Sequence, residues 1–313
     1  MSKIVGIGAN VYDTLITLPS FPTEDTKLRA ESVCTSGGGP CATGLAAAAK
    51  LGADSAYIGV LSSDSAGRFL AEDMKKYGMT NDFVEVLDGY SSFSSCIWLN
   101  KSNASRTCVF DKGNLPPLEL GDKQKEAIKN AEILMIDGNE MSAAIDGAKY
   151  AHESGTKVLY DAGGLYEGVE NLLPHADILI PSEEFAKGFT GMLTAEDAAK
   201  RLFEAFHPEV VVVTCGKSGG VLYDGDEIWH YEAFSVDAVD SNGAGDVFHG
   251  AFAFSVIMGY NYKECCIFSS AVSALKCTGV GARESVPTFG ETVKFLKERG
   301  YNEFEKDLDK KIR

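Results

Sequence analysis

The chain has 313 residues, of which 45% are hydrophobic and 24% are charged, a composition typical of a folded globular protein. Its net charge of −16 argues against a nucleic-acid partner, because an acidic surface repels the phosphate backbone. The eight cysteines lack zinc or disulfide spacing, and no apolar run is long enough for a membrane span. We therefore expect a cytoplasmic protein with reduced thiols and no membrane partner.

The first predicted element is a buried parallel strand over residues 3–8. Its glycines could begin a dinucleotide fingerprint, but Val11 stands at the third glycine place, which argues against a nicotinamide dehydrogenase. Ligands of open α/β sheets bind at the carboxyl ends of strands, so Asp13 is either a ligand-binding residue or a turn former. Residues 14–36 lack a helical period and predict β structure.

A glycine-rich loop then leads into a helix of small residues. Gly37, Gly38 and Gly39 precede an alanine-rich stretch that ends at Gly52. Glycines let the backbone approach a ligand closely, and Gly52 suits the position that follows a helix. By itself, this pattern predicts only a loop and a tightly packed helix.

Further strands and helices follow in order. A strand at 57–60 and a helix at 66–77 come first, and residues 93–99 and 106–110 alternate as in a hairpin. Arg106 in this hairpin is either a cation that faces a substrate or a solvated strand residue.

From residue 122 onwards, strands alternate with helices, which predicts βαβ units and a parallel sheet. These strands are predicted at 133–137, 157–161, 177–180 and 210–214. The run Gly216-Lys217-Ser218 imitates the end of a P-loop, but Val211 replaces the required first glycine and another strand follows. A P-loop is therefore rejected.

The most specific stretch is DSNGAGD at residues 240–246, which leads directly into an apolar helix. The first N–H groups of a helix lack intrahelical partners and carry the positive end of its dipole, so the turn suits a phosphate. A carboxylate at Asp246 would then be a proton acceptor beside an anion site. An aspartate in a first turn also occurs merely to complement the dipole.

These segments together resemble the ribokinase-like (PfkB) carbohydrate kinase family. Residues 240–246 match its signature Asp-Thr-x-Gly-Ala-Gly-Asp, with Ser241 in the Thr place. The paired glycines before an alanine-rich helix ending Leu-Gly match at 38–52, and the nucleotide loop Thr-x-Gly-x-x-Gly matches at 214–219.

Two segments depart from the family pattern. Thr43 stands where many members carry Asn, which bears on the identity of the sugar. Ser182 and Phe185 replace the Asn and Glu of an Asn-x-x-Glu motif that organises water around Mg²⁺.

The resemblance implies an α/β fold, a three-layer sandwich with a mainly parallel central sheet and a small β-sheet lid. The core would comprise residues 1–11, 37–89 and 113–313, and the lid residues 12–36 and 90–112. The lid of this family covers the sugar and often mediates dimerisation, so we expect a homodimer.

The resemblance also implies site residues, to which Arg106 is added from the hairpin. Asp246 would be the base, with an anion hole at Gly243, Ala244 and Gly245; the sugar would contact Asp13, Gly38, Gly39, Thr43 and Arg106; the nucleotide would contact Thr214, Gly216, Gly219 and Ser182; and a monovalent cation would bind Asp240, Asn242 and Ser285.

We therefore expect transfer of a phosphoryl group from ATP to an uncharged ketohexose or pentose, with Mg²⁺ and potassium. The alternatives are a nucleoside kinase and a catalytically silent sugar-binding regulatory protein of the same fold. The intact Asp246 argues against the silent protein, since binding alone does not require it.

Overall fold

The structure is a computed structural model that describes residues 3–103 and 105–307. Two of the predicted core ranges extend beyond these residues. The range 1–11 starts before residue 3, and the range 113–313 continues past residue 307. The strands in chain order are β1 Ile4–Ile7, β2 Val11–Leu18, β3 Ser32–Gly38, β4 Ser55–Ser62, β5 Thr80–Leu87, β6 Ser94–Asn100, β7 Ser105–Asp111, β8 Ile133–Ile136, β9 Lys157–Ala162, β10 Ile178–Pro181, β11 Val210–Thr214, β12 Gly220–Tyr223 and β13 Ile228–Tyr231.

Helices fill most of the gaps between these strands. None of the helices described is both long and apolar enough to cross a membrane. They are α1 Pro40–Leu51, α2 Ser65–Lys76, α3 Asp122–Lys129, α4 Met141–Ser154, α5 Val169–Leu172, α6 Glu183–Thr190, α7 Ala195–Phe206, α8 Ala244–Ile257, α9 Tyr262–Cys277 and α10 Phe289–Lys297.

Nine strands form the central sheet, in the order β13-β12-β11-β10-β9-β8-β1-β4-β5. Every neighbouring pair from β5 to β11 is parallel, and only β12 and β13 add antiparallel pairs. Parallel strands are buried on both faces, which explains why β1 and β11 read as continuous apolar runs. The predicted mainly parallel sheet is confirmed.

Two cores lie on opposite faces of this sheet. Along β1, Ile4 belongs to the core that contains buried residues of α1, α8 and α9, whereas Val5 belongs to the core built with α4 and α7. Successive side chains of a strand point to opposite faces, so a buried strand feeds both cores. The result is the predicted three-layer sandwich.

A separate sheet of four strands has the order β3-β2-β6-β7. Strand β2 pairs antiparallel with β3 and parallel with β6, and β6 and β7 form the predicted hairpin. Asp13 on β2 lies opposite Ser95 on β6. The small sheet is confirmed, and the lid boundaries at 12–36 and 90–112 stay a prediction.

Helix α9 begins at Tyr262 and precedes the loop at residues 279–287. A capping box fixes this start, because the side chains of Asn261 and Glu264 each accept from the other residue's amide.

Candidate active site

The site is organised by the turn that leads into α8. Gly243 has a φ of 74°, a left-handed conformation that costs a residue with a side chain about 1–2 kcal/mol. A Cβ at this position would also lie 2.7 Å from the Cβ of Ala282. The amide of Asn242 donates to Asp240 Oδ1 at 2.8 Å and holds the turn closed. Residue 243 must therefore be glycine.

The turn presents the N-terminus of a buried helix. All residues from 247 to 255 in α8 are buried, so the helix runs into the interior from the cleft. Gly245 and Asp246 lie in its first turn, where amides have no carbonyl of a preceding turn to bond. A Cβ on Gly245 would meet no atom within 4 Å, so this end is open. The open amides and the helix dipole suit a phosphate.

Two cavities meet at this turn. The first, the acceptor cavity, has a volume of about 430 Å³ and is lined in part by Asp13, Gly38, Gly39, Thr43, Gly243 and Asp246. The second, the donor cavity, has about 460 Å³ and is lined in part by Thr214, Gly216, Gly219, Ala244 and Gly245. Both cavities therefore border the N-terminus of α8, each from its own side.

Asp13 lies in the floor of the acceptor cavity. It is 6% exposed, and Ser95 Oγ donates to its Oδ1 at 2.6 Å. Burial raises the pKa of Asp13 to about 6, and the hydrogen bond from Ser95 opposes that rise. A Cβ on Gly38 would lie 1.9 Å from Asp13 Oδ2, so only glycine lets the loop pass over the carboxylate.

Asp246 faces Asp13 across the acceptor cavity. Burial raises the pKa of Asp246, while the positive charges of His249 and Arg106 lower it. A carboxylate with a raised pKa is a stronger base than an exposed aspartate. Asp246 therefore has the environment of a proton acceptor.

A buried imidazole supports the turn from below. His249 Nδ1 lies 2.6 Å from the carbonyl oxygen of Gly245 and 3.2 Å from Asp161 Oδ2, and Nε2 lies 3.0 Å from the carbonyl of Ile180. Both ring nitrogens of His249 thus lie against oxygen acceptors. An imidazole ring that carries a hydrogen on each nitrogen fits this arrangement. Burial raises the pKa of Asp161, and His249 opposes the rise. The contact fixes the carbonyl of Gly245.

Arg283 binds the glycine loop on the side away from the acceptor cavity. The sequence analysis did not predict this residue. Its side chain is fully buried and pairs with Asp73 Oδ2 at 2.6 Å. The guanidinium also donates to the carbonyl of Gly38 at 2.5 Å and to Asn10 Oδ1 at 3.1 Å. Breaking such a buried pair costs roughly 3–5 kcal/mol, so Arg283 is a structural cation rather than a ligand-binding one.

Asp137 at the end of β8 has a similar role. It is 2% exposed and accepts from the amides of Ala9 at 2.8 Å, Cys41 at 3.0 Å and Asn139 at 2.9 Å. Three backbone donors bind its two oxygens, so the carboxylate joins three loops at the carboxyl edge of the sheet. It also puts Asn139 on the wall of the acceptor cavity.

Two residues predicted for the sugar have other contacts. The Thr43 hydroxyl accepts from Arg283 Nε at 3.4 Å, although Thr43 lines the acceptor cavity. Arg106 lies over the turn, with Nη1 3.2 Å from Asn242 Oδ1 and 3.5 Å from the carbonyl of Ser241. Arg106 thus contacts the turn and is not among the described residues that line the acceptor cavity.

The predicted nucleotide loop closes the donor cavity between β11 and β12. Gly219 has a φ of 81°, and a Cβ there would lie 1.9 Å from the carbonyl oxygen of Tyr231. A strand follows the loop, whereas a helix follows a P-loop, so the structure agrees with the rejection of a P-loop. Ser182 caps α6 by accepting from the amide of Phe185 at 3.1 Å and is not among the described lining residues.

The predicted monovalent cation ligands are already engaged. Asp240 Oδ1 accepts from the amide of Asn242, and Oδ2 accepts from the amide of Gly281 at 2.9 Å. Ser285 Oγ donates to the carbonyl of Gly281 at 2.9 Å. The ammonium of Lys276 donates to the carbonyl of Asp240 at 2.7 Å. The residues present therefore do not fit an alkali cation at this position.

A sequence profile described as pfkB family carbohydrate kinase matches residues 1–289. The chain belongs to this family. The ribokinase of Haemophilus influenzae is 27% identical over 297 residues, which cover 93% of this chain and 97% of that protein. The structure of Arabidopsis thaliana ribokinase complexed with ribose and ATP has a TM-score of 0.84 at 27% identity, with coverage of 95% and 99%. The ribokinase structure from Thermotoga maritima has a TM-score of 0.82 at 27% identity, with coverage of 95% and 100%.

Membership makes the chain a phosphotransferase with the ribokinase-like fold. Carbohydrate kinases of this family act on small sugars, and the Arabidopsis complex holds ribose and ATP together.

Sequence reasoning missed three buried polar residues that shape this PfkB site: His249, Lys276 and Arg283. Two of them carried a usable signal. His249 and Lys276 each interrupt an apolar helix, and a buried polar group needs a partner. Arg283 lies in a loop, where no periodic pattern shows that it is buried.

Replacement of Gly243 by alanine should destabilise the protein, because it adds backbone strain of about 1–2 kcal/mol and a clash with Ala282. We expect a lower midpoint of thermal unfolding. The matched control is Gly290→Ala within α10, where a Cβ meets no atom within 4 Å and alanine favours the helix by about 0.5–1 kcal/mol. Equal midpoints for the two variants would contradict the strained turn.

Proposed function

We propose that the protein transfers the γ-phosphoryl group of ATP to a hydroxyl of an uncharged sugar, such as a ketohexose or a pentose. The observation that carries this proposal is the meeting of the acceptor and donor cavities at the N-terminus of α8. With the sugar in the first and ATP in the second, the transferring group lies against the open amides of the turn. Stabilisation of its charge there requires no rearrangement of the protein.

The reaction divides into one bond made, one bond broken and one proton moved. The sugar hydroxyl oxygen attacks the γ-phosphorus, and the bond from that phosphorus to the bridging oxygen of ADP breaks. Asp246 accepts the hydroxyl proton. The amides of Gly243 and Gly245 form the anion hole, because the amide of Ala244 donates to the carbonyl of Ser241 at 3.2 Å. The guanidinium of Arg106 lies near enough to share the developing charge.

The sugar would be bound mainly by Asp13 and the glycine loop. The Asp13 carboxylate accepts from sugar hydroxyls, Gly38 and Gly39 allow close approach, and Thr43 borders the ring. Lys112 is the sole cation among the described residues that line the acceptor cavity, beside two carboxylates. That balance favours an uncharged sugar over a sugar phosphate.

A nucleoside is the second candidate acceptor. A neighbouring cavity of about 380 Å³ shares Ala9, Phe93, Lys112 and Asn139 with the acceptor cavity. Its apolar lining, which includes Leu61, could receive a base attached to the sugar. Nucleosides therefore belong in any panel of acceptors.

ATP would be held by Thr214, Gly216 and Gly219, with Ser182 supporting the loop from the adjoining strand end through its bridge to Thr214. The described residues offer no cluster of three acidic, histidine or cysteine side chains for a metal. Mg²⁺ would be held by ATP phosphates and water, a common mode for this ion. Potassium is left out of the proposal because of the contacts at Asp240.

Replacement of Asp246 by asparagine should lower turnover by roughly 10²–10⁴, the range for loss of a general base. The measurement is ADP release from MgATP with an accepted sugar. The control is Asp122→Asn, which removes another first-turn aspartate, in α3, far from the cavities. If Asp246→Asn kept nearly full turnover, Asp246 would only complement the helix dipole and would not be the base.

The dependence of kcat/KM for the sugar on pH should report Asp13. Because its pKa is about 6 and the ionised form binds hydroxyls, kcat/KM should fall as the pH drops through about 6. Ser95→Ala removes a hydrogen bond that stabilises the carboxylate, so the inflection should move to higher pH. Ser94→Ala, which alters the opposite face of β6, should leave it in place. An inflection that Ser95→Ala leaves unmoved would exclude Asp13.

The four-stranded sheet supports a homodimer. Its outer face carries Val33 and Val109, which are 61% and 65% exposed. Ile16 and Trp98 lie in register with Val33 and share that face. Exposed apolar faces of this kind mark interaction sites, and a second copy of the same face is the simplest partner. The cytoplasmic location stays a prediction.

Introduction of lysine at both Val33 and Val109 should convert the dimer to a monomer, because four like charges would face each other across the two-fold axis. Light scattering after size exclusion gives the mass. Leu193→Lys is the control, since Leu193 is 88% exposed but lies between α6 and α7. A dimer that persists in the double variant would place the interface elsewhere.

A further inference from the structure

A fully buried lysine lies beside the turn that carries the anion hole. Lys276 is in the last turn of α9, and its side chain has no exposed surface. Its ammonium lies 2.7 Å from the carbonyl oxygen of Asp240 and 3.9 Å from Asp240 Oδ2. Because it sits at the negative end of the α9 dipole, the positive charge is further stabilised there.

The same position is where the family resemblance predicted an alkali cation. The three ligands predicted for that cation, Asp240, Asn242 and Ser285, instead contact other groups of the protein. A primary ammonium carries the same single charge as potassium and offers three donors to oxygen acceptors. Lys276 thus supplies at Asp240 what an alkali cation would supply.

We propose that Lys276 is a built-in monovalent cation, and that the kinase activity of this protein is independent of potassium. The inference rests on the proposed function only for its activity readout. Lys276 is not among the described residues that line either cavity, so it is a positioning residue. It neutralises Asp240, whose Oδ1 holds the amide of Asn242 and thereby the turn at Gly243.

Removal of the ammonium has two consequences. Asp240 becomes a buried carboxylate without its cation, which is costly, so the turn loses its fixed geometry. In Lys276→Ala the side chain also leaves a space bordered by oxygens of Asp240, which a free monovalent cation can enter. The variant should therefore acquire the potassium requirement that the wild type lacks.

The test measures turnover at equal ionic strength in tetramethylammonium, sodium, potassium and ammonium chloride. Wild-type turnover should agree within about two-fold in all four salts. Lys276→Ala should lose about 10- to 100-fold in tetramethylammonium, the loss expected for a hydrogen bond to a charged group. Potassium or ammonium should restore much of that loss. Lys276→Met, which fills the space without a charge, should stay low in every salt.

Lys50→Ala is the matched control, because Lys50 also donates to a backbone carbonyl of the 279–287 loop, that of Glu284 at 2.9 Å. Its ammonium is outside the site, so the variant should behave as the wild type in all four salts.

Thermal unfolding provides a readout that does not depend on catalysis. Potassium should raise the midpoint of Lys276→Ala relative to tetramethylammonium and leave that of the wild type unchanged. If no acceptor is phosphorylated by the wild type in any salt, the proposed function fails while this comparison still tests Lys276.

Two results would overturn the inference. The first is potassium activation or potassium-specific stabilisation of the wild type, which requires no variant and is informative even if Lys276→Ala does not fold. The second is a folded Lys276→Ala protein whose turnover and unfolding midpoint do not respond to potassium.

Discussion

The left-handed backbone at Gly243 is the constraint on which the catalytic arrangement depends. The chain turns so close to Ala282 that a Cβ on Gly243 would lie 2.7 Å from the Cβ of Ala282. This turn directs the N-terminus of α8 toward the space between the two cavities. Because residues 247–255 of α8 are all buried and the helix packs against α1 and α9, its axis cannot shift without opening the core. The amides of Gly243 and Gly245 are therefore preorganised before any ligand binds.

Buried charges hold the loops that surround this helix end. Arg283 joins the glycine loop to α2, Asp137 joins the ends of β1 and β8 to the start of α1, and Lys276 joins the end of α9 to Asp240. Each charge is paired within the protein, and loss of its partner would leave a buried charge uncompensated. The walls of the acceptor cavity are therefore loops that buried contacts hold rigid. Asp13 and Asp246 are the two carboxylates among the described residues that line this cavity.

Local signals predicted the parallel sheet, the hairpin and the turn at residues 240–246, and the family resemblance implied the small sheet. Each of these signals depends on a short stretch of sequence. They are a buried parallel strand, a helix of small residues, and a glycine before an apolar helix. Arg283 and Asp73 are 210 residues apart, so their pairing has no local pattern. The contacts of Thr43 and Ser182 were missed for the same reason, since a hydroxyl on a loop can bind a ligand, cap a helix or accept from a distant arginine.

The central claim is that a phosphoryl group passes across the N-terminus of α8 from ATP to a sugar. The most direct measurement follows a label in the γ-phosphoryl group of MgATP during incubation with pentoses, hexoses, sugar phosphates and nucleosides. The account predicts that the label appears on an uncharged sugar, in equal amount to the ADP formed. Label that stays in ATP or appears only as inorganic phosphate with every acceptor, while ATP still binds, would contradict it.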